Sequence, residues 1–364
     1  MSAEVPRVDL SNCDREPIHI PGLIQPHGAL LALDAERRVL HASANLADWL
    51  GGTAPALGDR LAPQHFEAND IVHALLAQAL ALPATTEAPA ALHAVVTLAG
   101  RAFDLLVHRQ QTLVIAEFEQ RSAGAPPPQY FGPALLEANQ RFRHQSSVQG
   151  LLEAAVQVLR TIIGFDRVMA YRFRADDSGD IVAEDRHPEL DPYLGWRYPA
   201  SDIPAQARRL YTVNLMRLIA DVNAAPVALI PPLNPQTGQP LDMSFAVLRA
   251  FSPVHIEYLR NMGVGASLSI SILLDGQLWG LIACHHPHAS RVAAHVDAVD
   301  HRATGCRLQQ PAEHTNRRRL ARSVAAEEPE HFAAPHVERH VVDGAERAEA
   351  ASQVLDDDGV VGHR

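Results

Sequence analysis

The chain has 364 residues, with 31 basic and 42 acidic side chains, and its formal net charge of −11 argues against a nucleic-acid footprint. Every basic residue is arginine, so no cofactor can be held as a lysine Schiff base, and the three cysteines, Cys13, Cys284 and Cys306, are too few and too scattered for a disulfide framework or a four-thiolate zinc site. With 47% hydrophobic and 20% charged residues, no signal-peptide pattern and no apolar run that would span a bilayer, the chain reads as globular, reduced and cytoplasmic, with length for two domains and part of a third.

A Pro- and Gly-rich stretch from Cys13 to Gly28, closing the N-terminal segment 1–27, cannot be a helix and runs as an irregular segment. His19 and His27 within it suit loop hydrogen bonding better than a metal pair lacking a third ligand. Residues 28–120 read as a small α+β domain. Leu30, Leu31 and Leu33 precede a polar turn at Asp34 to Arg38, and Val39 to Ala42 resume a strand. Val95 to Leu98, Ala102 to Val107 and Leu113 to Phe118 add further strands, so an antiparallel sheet with helices between its strands is predicted. Residues 121–135, with Pro126 to Pro128 after Gly124, form a linker.

A second domain over 136–290 opens with a helix whose apolar face is Leu151, Leu152, Ala155, Val156, Leu159, Ile162 and Ile163, stopped by Gly164. In the next strand Met169, Tyr171 and Phe173 share one face, Val168 and Ala170 the other. Ser201 and Asp202 before Pro204 look like a helix start. Further on, Ser267, Ser269 and Ser271 alternate with Leu268, Ile270 and Ile272 before an Asp275-Gly276 hairpin turn into Leu278 to Cys284. A face of serines fits solvent or a polar ligand pocket. Cys284, His285, His286 and His288 suggest zinc, but adjacent strand residues point to opposite faces and would not share one ion. From Arg291 the chain has no Ile, Met, Trp or Tyr, one Phe and three Leu, and residues 291–364 are expected to bury little. That break suggests an out-of-frame or degenerate tail.

Four segments carry more than fold: Cys13 to Gly28; Tyr198 to Tyr211, with Pro199-Ala200-Ser201-Asp202-Ile203-Pro204; Leu248 to Gly265, with Arg249-Ala250-Phe251-Ser252-Pro253-Val254-His255; and Gly276 to His286, with Trp279-Gly280 and Cys284-His285-His286. Together, and in this order, they resemble the photosensory region of bacterial phytochromes over roughly residues 8–288. The resemblance implies a PAS domain followed by a GAF domain, each an antiparallel sheet with flanking helices, with the N-terminal segment knotted through a lasso of the GAF domain. It implies a red/far-red photoreceptor, not an enzyme in this chain. The cofactor it implies is biliverdin IXα, thioether-linked through the ring A vinyl group to Cys13, and the photochemistry it implies is Z/E isomerisation at ring D.

Site residues follow from the same likeness. Arg217 and Arg249 have the fork geometry that propionates need, joined by hydroxyls from Tyr211, Ser252, Ser267 and Ser269. The backbone carbonyl of Asp202 and the His255 side chain would face the pyrrole N–H groups. Met169, Tyr171, Tyr198, Ile203 and Tyr258 would surround ring D, and His285 its carbonyl. Outside that likeness, Met169 and Tyr171 are core, His255 is a structural histidine, Cys13 a surface thiol and each arginine a surface ion pair, the last reading suiting Arg208, Arg209 and Arg260. Cys284 reads as packing. The family's PHY and kinase regions do not fit in the remaining residues, so an incomplete photocycle is expected. A homodimer and an unknown downstream signalling protein are the implied partners. A chromophore-free PAS–GAF sensory or dimerisation module is the rival reading, and a metal-binding regulator using the histidines a distant third.

Overall fold

The computed structural model describes residues 13–84, 89–121 and 131–290, with backbone alone for Cys13 and for 131–135. Of the linker expected at 121–135, residues 122–130 lie outside the described residues, while 131–135 belong to a helix, Phe131–Arg143, that starts before the expected boundary of the second domain. Cys306 and the tail from 291 also lie outside the described residues.

After a 3-10 turn at Cys13–Arg15 the elements run, in order: β1 Leu23–Ile24, β2 Gly28–Leu33, β3 Val39–Ser43, α1 Leu46–Leu50, α2 Asp70–Ala81, β4 Ala91–Leu98, β5 Arg101–Gln110 and β6 Leu113–Gln120. Then come α3 Phe131–Arg143, α4 Val148–Ile163, β7 Arg167–Phe173, β8 Gly179–Arg186, β9 Arg197–Tyr198, α5 Ala205–Val213, β10 Met216–Ile219, β11 Val227–Ile230, α6 Pro253–Asn261, β12 Ala266–Leu274 and β13 Gln277–His286. The predicted α+β class and the antiparallel sheets are present.

β2 reads Gly-Ala-Leu-Leu-Ala-Leu because it is buried on both faces. Ala29, Leu31 and Leu33 pack with Leu50, Phe66, Val72 and Leu76 beneath α1 and α2. Leu30 and Ala32 meet Ile24, Ile115, Leu229, Met243 and Leu248, so the second core is shared between the two halves of the chain. The turn predicted at 34–38 is closed by Asp34, whose side chain accepts the Arg38 N–H at 2.7 Å.

One feature was not foreseen from the sequence. β11 leaves the second domain and enters the first domain's sheet, whose order is β1-β11-β3-β2-β6-β5-β4. Residues 22–25 are consequently engaged on both edges. Leu23 and Ile24 pair with Ala228 and Val227 on one side. On the other side Gln25 N donates to Leu248 O at 2.8 Å and Ala250 N to Leu23 O at 3.1 Å. The Gln25 side chain reaches further still, donating to Leu218 O at 2.8 Å and accepting from Ala220 N at 3.3 Å.

The second sheet has the order β10-β12-β13-β7-β8-β9. α4 covers one face, starting at a Ser147 cap that accepts Gly150 N and ending at Gly164, whose φ of 71° lets its N–H reach Arg160 O. Leu152 and Val156 pack against Val168, Ala170, Leu268, Ile270 and Cys284. Ala154 and Val158 are buried too, half a turn round the helix from that face, and α3 packs along α4. The opposite face of the sheet holds the candidate site.

Candidate ligand pocket

Strand register decides which side chains meet. Across β10, β12, β13, β7 and β8, Arg217, Ser269, Ala283, Met169 and Glu184 stand in one row on this face. A neighbouring row holds Ile219, Ser267, His285 and Arg167. The serine face is therefore interior: Ser267 is 9% and Ser271 4% exposed. Ser271 donates to Tyr211 O at 2.6 Å and ties α5 over the sheet. The solvent-facing alternative for this alternation does not hold.

Met169, Tyr171, Tyr198 and Leu281 form an apolar floor, with Ile203, Tyr211 and Phe173 packed against it. The Tyr171 hydroxyl is buried with no hydrogen-bond partner among the described residues. Ser201 and Asp202 do not start a helix as predicted. They lie in a separate 3-10 turn, and α5 begins beyond Pro204 with no side-chain cap. Proline's fixed φ suits the first turn and needs no donor, which leaves the Asp202 carboxylate without a capping task. Its Oδ2 is buried and unpartnered among the described residues, and burial pushes its pKa up to about 6. The hydroxyls of Tyr171, Tyr198 and Tyr258 are held in their neutral form, by burial first and by the Asp202 charge in addition.

α6 supplies the opposite wall. Ser252 occupies its cap position without a capping bond, so the hydroxyl is not committed to the helix. His255 and Tyr258, three residues apart, share a helix face and stack with centroids 6.4 Å apart. Phe251 also stacks with His255, at 6.0 Å between centroids. Burial lowers the His255 pKa to about 4, and burial with the charges of Arg167 and His255 lowers His285 to about 3. Both imidazoles are neutral near pH 7, and His285 Nδ1 has no partner among the described residues.

A cationic corner completes the site. Arg217 and Arg249 are 4% and 5% exposed, and the Tyr211 hydroxyl, hydrogen-bonded to Ser269, lies within reach of both charges. The Arg217 guanidinium lies 4.7 Å over Phe251 and donates to the carbonyls of Ala246, Val247 and Arg249. Arg249 donates to Ile18 O at 2.6 Å, while its Nε has no partner among the described residues. Burial lowers its pKa to about 10, which leaves it charged at neutral pH. Arg208 instead pairs with Asp177 at 3.0 Å, Arg209 is exposed and Arg260 bonds Asn223 and Val222 O, all away from this corner.

The turn at Cys13–Arg15 packs on α5, the helix that carries Tyr211. The Cys13 side chain lies outside the described residues. Cys284 is buried on the α4 side of the sheet, where burial raises its thiol pKa, as expected of a packing residue. His285 and His286 face opposite ways: His286 lies 3.4 Å from Asp166 and against Phe165. Among the described residues no group of three His, Cys, Asp or Glu could hold a metal ion.

The sequence reading missed several residues here. Phe251 links Arg217 to His255. Arg167 and Glu184 form a buried ion pair at the floor's edge, with Arg167 3.8 Å over the Tyr193 ring and Glu184 accepting the N–H groups of Tyr193 and Leu194. Asn214, 1% exposed after α5, has neither amide atom hydrogen-bonded among the described residues. None of these carries a signal in the sequence: the alternation of Gly179, Ile181 and Ala183 in β8 puts Glu184 out of phase with the buried positions.

A PAS-fold family model matches residues 13–121, and a GAF-domain model matches residues 147–301. The chain is 44% identical over 279 residues to a bacteriophytochrome of Pseudomonas aeruginosa, covering 77% of this chain and 37% of that protein. It is 45% identical over 302 residues to a bacteriophytochrome of Xanthomonas campestris pv. campestris, covering 79% and 45%. It is 42% identical over 290 residues to cyanobacterial phytochrome B of a Nostoc species, covering 77% and 37%. The chain thus spans less than half the length of these relatives. Among the described residues no helix is long and apolar enough to cross a membrane.

Proposed function

The chain belongs to the bacteriophytochrome family, matching its N-terminal PAS–GAF region, and from that premise we propose that it is a red/far-red photoreceptor module binding biliverdin IXα covalently through Cys13. The observation that carries this reading is the set of buried polar atoms left without partners around one apolar floor: Tyr171 Oη, Asp202 Oδ2, His285 Nδ1 and Arg249 Nε. Each costs about 1–3 kcal/mol when left unpaired, a cost that a polar ligand removes. Both a dianionic end and a ring system rich in N–H and C=O groups fit this donor and acceptor set.

Arg217 and Arg249, with Tyr211, Ser252, Ser267 and Ser269, would hold the two propionates, and the guanidinium forks orient them. The Asp202 carbonyl and the neutral His255 ring would face the pyrrole nitrogens. Met169, Tyr171, Tyr198, Ile203 and Tyr258 would shape the ring D space, in which methionine yields more readily than the aromatic rings. His285 would donate a ring N–H to the ring D carbonyl. When bound, biliverdin supplies visible absorption and the double bond that isomerises between Z and E. The pairing of residues 22–25 on both edges supports a knotted N-terminal segment, which would carry Cys13 to α5. A second copy of the chain and a downstream signalling protein are the partners this reading implies.

The test is biliverdin added to the full chain, followed by zinc-induced fluorescence on a denaturing gel. A fluorescent band that disappears in Cys13→Ala is expected. A parent chain without any band would overturn covalent attachment and favour the chromophore-free module.

A further inference from the structure

Glu117 belongs to the first domain, on β6, yet its carboxylate ends on the stretch of chain that carries the pocket's arginines. The residue is fully buried. Oε1 accepts the Val247 N–H at 3.1 Å and Oε2 accepts the Leu248 N–H at 2.8 Å. The carbonyls around those same two residues orient Arg217: its Nη1 donates to Ala246 O at 2.6 Å and Val247 O at 3.2 Å, its Nη2 to Arg249 O at 2.7 Å. Arg249 itself follows Leu248 directly.

One carboxylate therefore fixes two successive peptide groups, whose neighbouring carbonyls aim one arginine and whose next residue is the other. Two charge-assisted bonds to adjacent N–H groups leave the peptide plane little freedom. A buried carboxylate is costly unless compensated, and this one is compensated in part by the very segment it holds. Ligand binding to an arginine is sensitive to small displacements of the guanidinium, because the fork must meet both carboxylate oxygens.

We propose that Glu117 is a positioning residue for Arg217 and Arg249, through which the first domain sets how tightly the second holds a dicarboxylate ligand. This rests on the reading of the two arginines as propionate-binding groups. Burial pushes the Glu117 pKa up to about 7, with the Leu248 and Val247 N–H groups and Arg217 pulling it down and Glu119 pushing it up. The other groups facing it are His108 on β5, 3.9 Å from Oε1, and the nearby Arg249; Glu119 is itself 3.4 Å from His27.

The experiment compares biliverdin with biliverdin dimethyl ester, which keeps the ring system and lacks the carboxylates. Reversible affinities are measured by absorption titration in the full chain carrying Cys13→Ala, which removes covalent trapping. The Glu117→Gln chain is expected to bind biliverdin about tenfold more weakly and the ester within twofold of its Glu117 parent. In the Glu117 parent, the preference for biliverdin over the ester is expected to fall severalfold from pH 8 to pH 6, as the carboxyl takes up a proton and one N–H loses its acceptor. Groups facing the ring system, Asp202 included, act on both ligands and cancel in the ratio. A folded Glu117→Gln chain with the parent's preference would overturn the proposal. Should that variant not fold, a preference in the Glu117 parent that is flat between pH 8 and pH 6 overturns it equally. A parent that does not distinguish the two ligands removes the reading of the arginines and the proposal with it, an outcome distinct from the other two.

Discussion

Ser269 stands directly across the β10–β12 ladder from Arg217, and its side chain is hydrogen-bonded to the Tyr211 hydroxyl, which lies close to both arginine charges. The serine thus holds a phenol beside a cationic corner. Ser269→Ala removes the partner of a buried hydroxyl, and such an orphan costs about 1–2 kcal/mol. Urea unfolding of the ligand-free chain is expected to show that loss. Tyr211→Phe in the same background should recover most of it, because neither half of the pair is then left unsatisfied.

His255 and His285 make stability fall in mild acid. Their folded pKa values, about 4 and about 3, lie below the 6.5 of an exposed imidazole, and burial is the main cause of both. The unfolded chain takes up protons first as pH drops, so the stability these residues contribute is complete above 6.5 and is lost as pH falls towards 4. Each contributes on the order of 3 kcal/mol over that window. Asp202 and Glu117 titrate with the opposite sense, so the measurement is a difference: urea unfolding of parent and His255→Gln at pH 7.5 and pH 4.5. The parent is expected to lose more than the variant. Equal losses would place His255 in a wetter environment than its stacking with Phe251 and Tyr258 indicates.

Asp202 carries the reverse sign. Its folded pKa of about 6 lies above its ordinary 3.8 because of burial, so the ionised carboxylate destabilises the fold above pH 6 and has no effect below 3.8. Asp202→Asn is expected to stabilise the ligand-free chain by about 1–2 kcal/mol at pH 8 and by nothing measurable at pH 3.5. Thermal melts at the two pH values check this. The backbone carbonyl at this position is untouched, so covalent attachment should persist in the variant.

Local periodicity made much of the fold legible. α4 showed its apolar stripe and its Gly164 stop, β7 its two-sided alternation, and Asp275-Gly276 its hairpin turn. The serine alternation in β12 showed a polar face but not what covers it, because α5 comes from elsewhere in the chain and leaves no periodic trace. Asp202 looked like a cap since Asp before a helix ordinarily is one; the intervening Pro204 took that position instead. The entry of β11 into the first sheet and the reach of Glu117 to Val247 and Leu248 rest on partners 130 or more residues away. Two acidic residues, Glu117 and Glu119, in an otherwise apolar strand give no sign of where such partners lie. Within the pocket, Arg249, His255 and His285 emerged through likeness to a family, whereas Phe251, quoted in the same motif, was given no role.

Gly179 sets the position of Tyr171. A Cβ placed on Gly179 would lie 1.9 Å from Tyr171 Cζ and 2.1 Å from its hydroxyl, so the ring rests on the bare backbone of the neighbouring strand. Phe173, at 5.1 Å between centroids, and Tyr198, at 6.1 Å, also pack against the ring. Gly179→Ala therefore cannot be absorbed by a small tilt, and the ring must swing off its seat. Overpacking of this kind costs about 1–3 kcal/mol. The cost is expected to vanish when the ring is removed: Gly179→Ala introduced into Tyr171→Ala should change stability by less than about 0.5 kcal/mol, the scatter of independent sites. A double-mutant cycle by urea unfolding checks it, and additive losses would mean that the alanine strains the strand rather than the ring. Biliverdin assembly adds a second readout. Gly179→Ala alone is expected to slow it severalfold, since the displaced phenol leaves the seat the ligand-free pocket gives it. In the double variant the rate should match that of Tyr171→Ala alone.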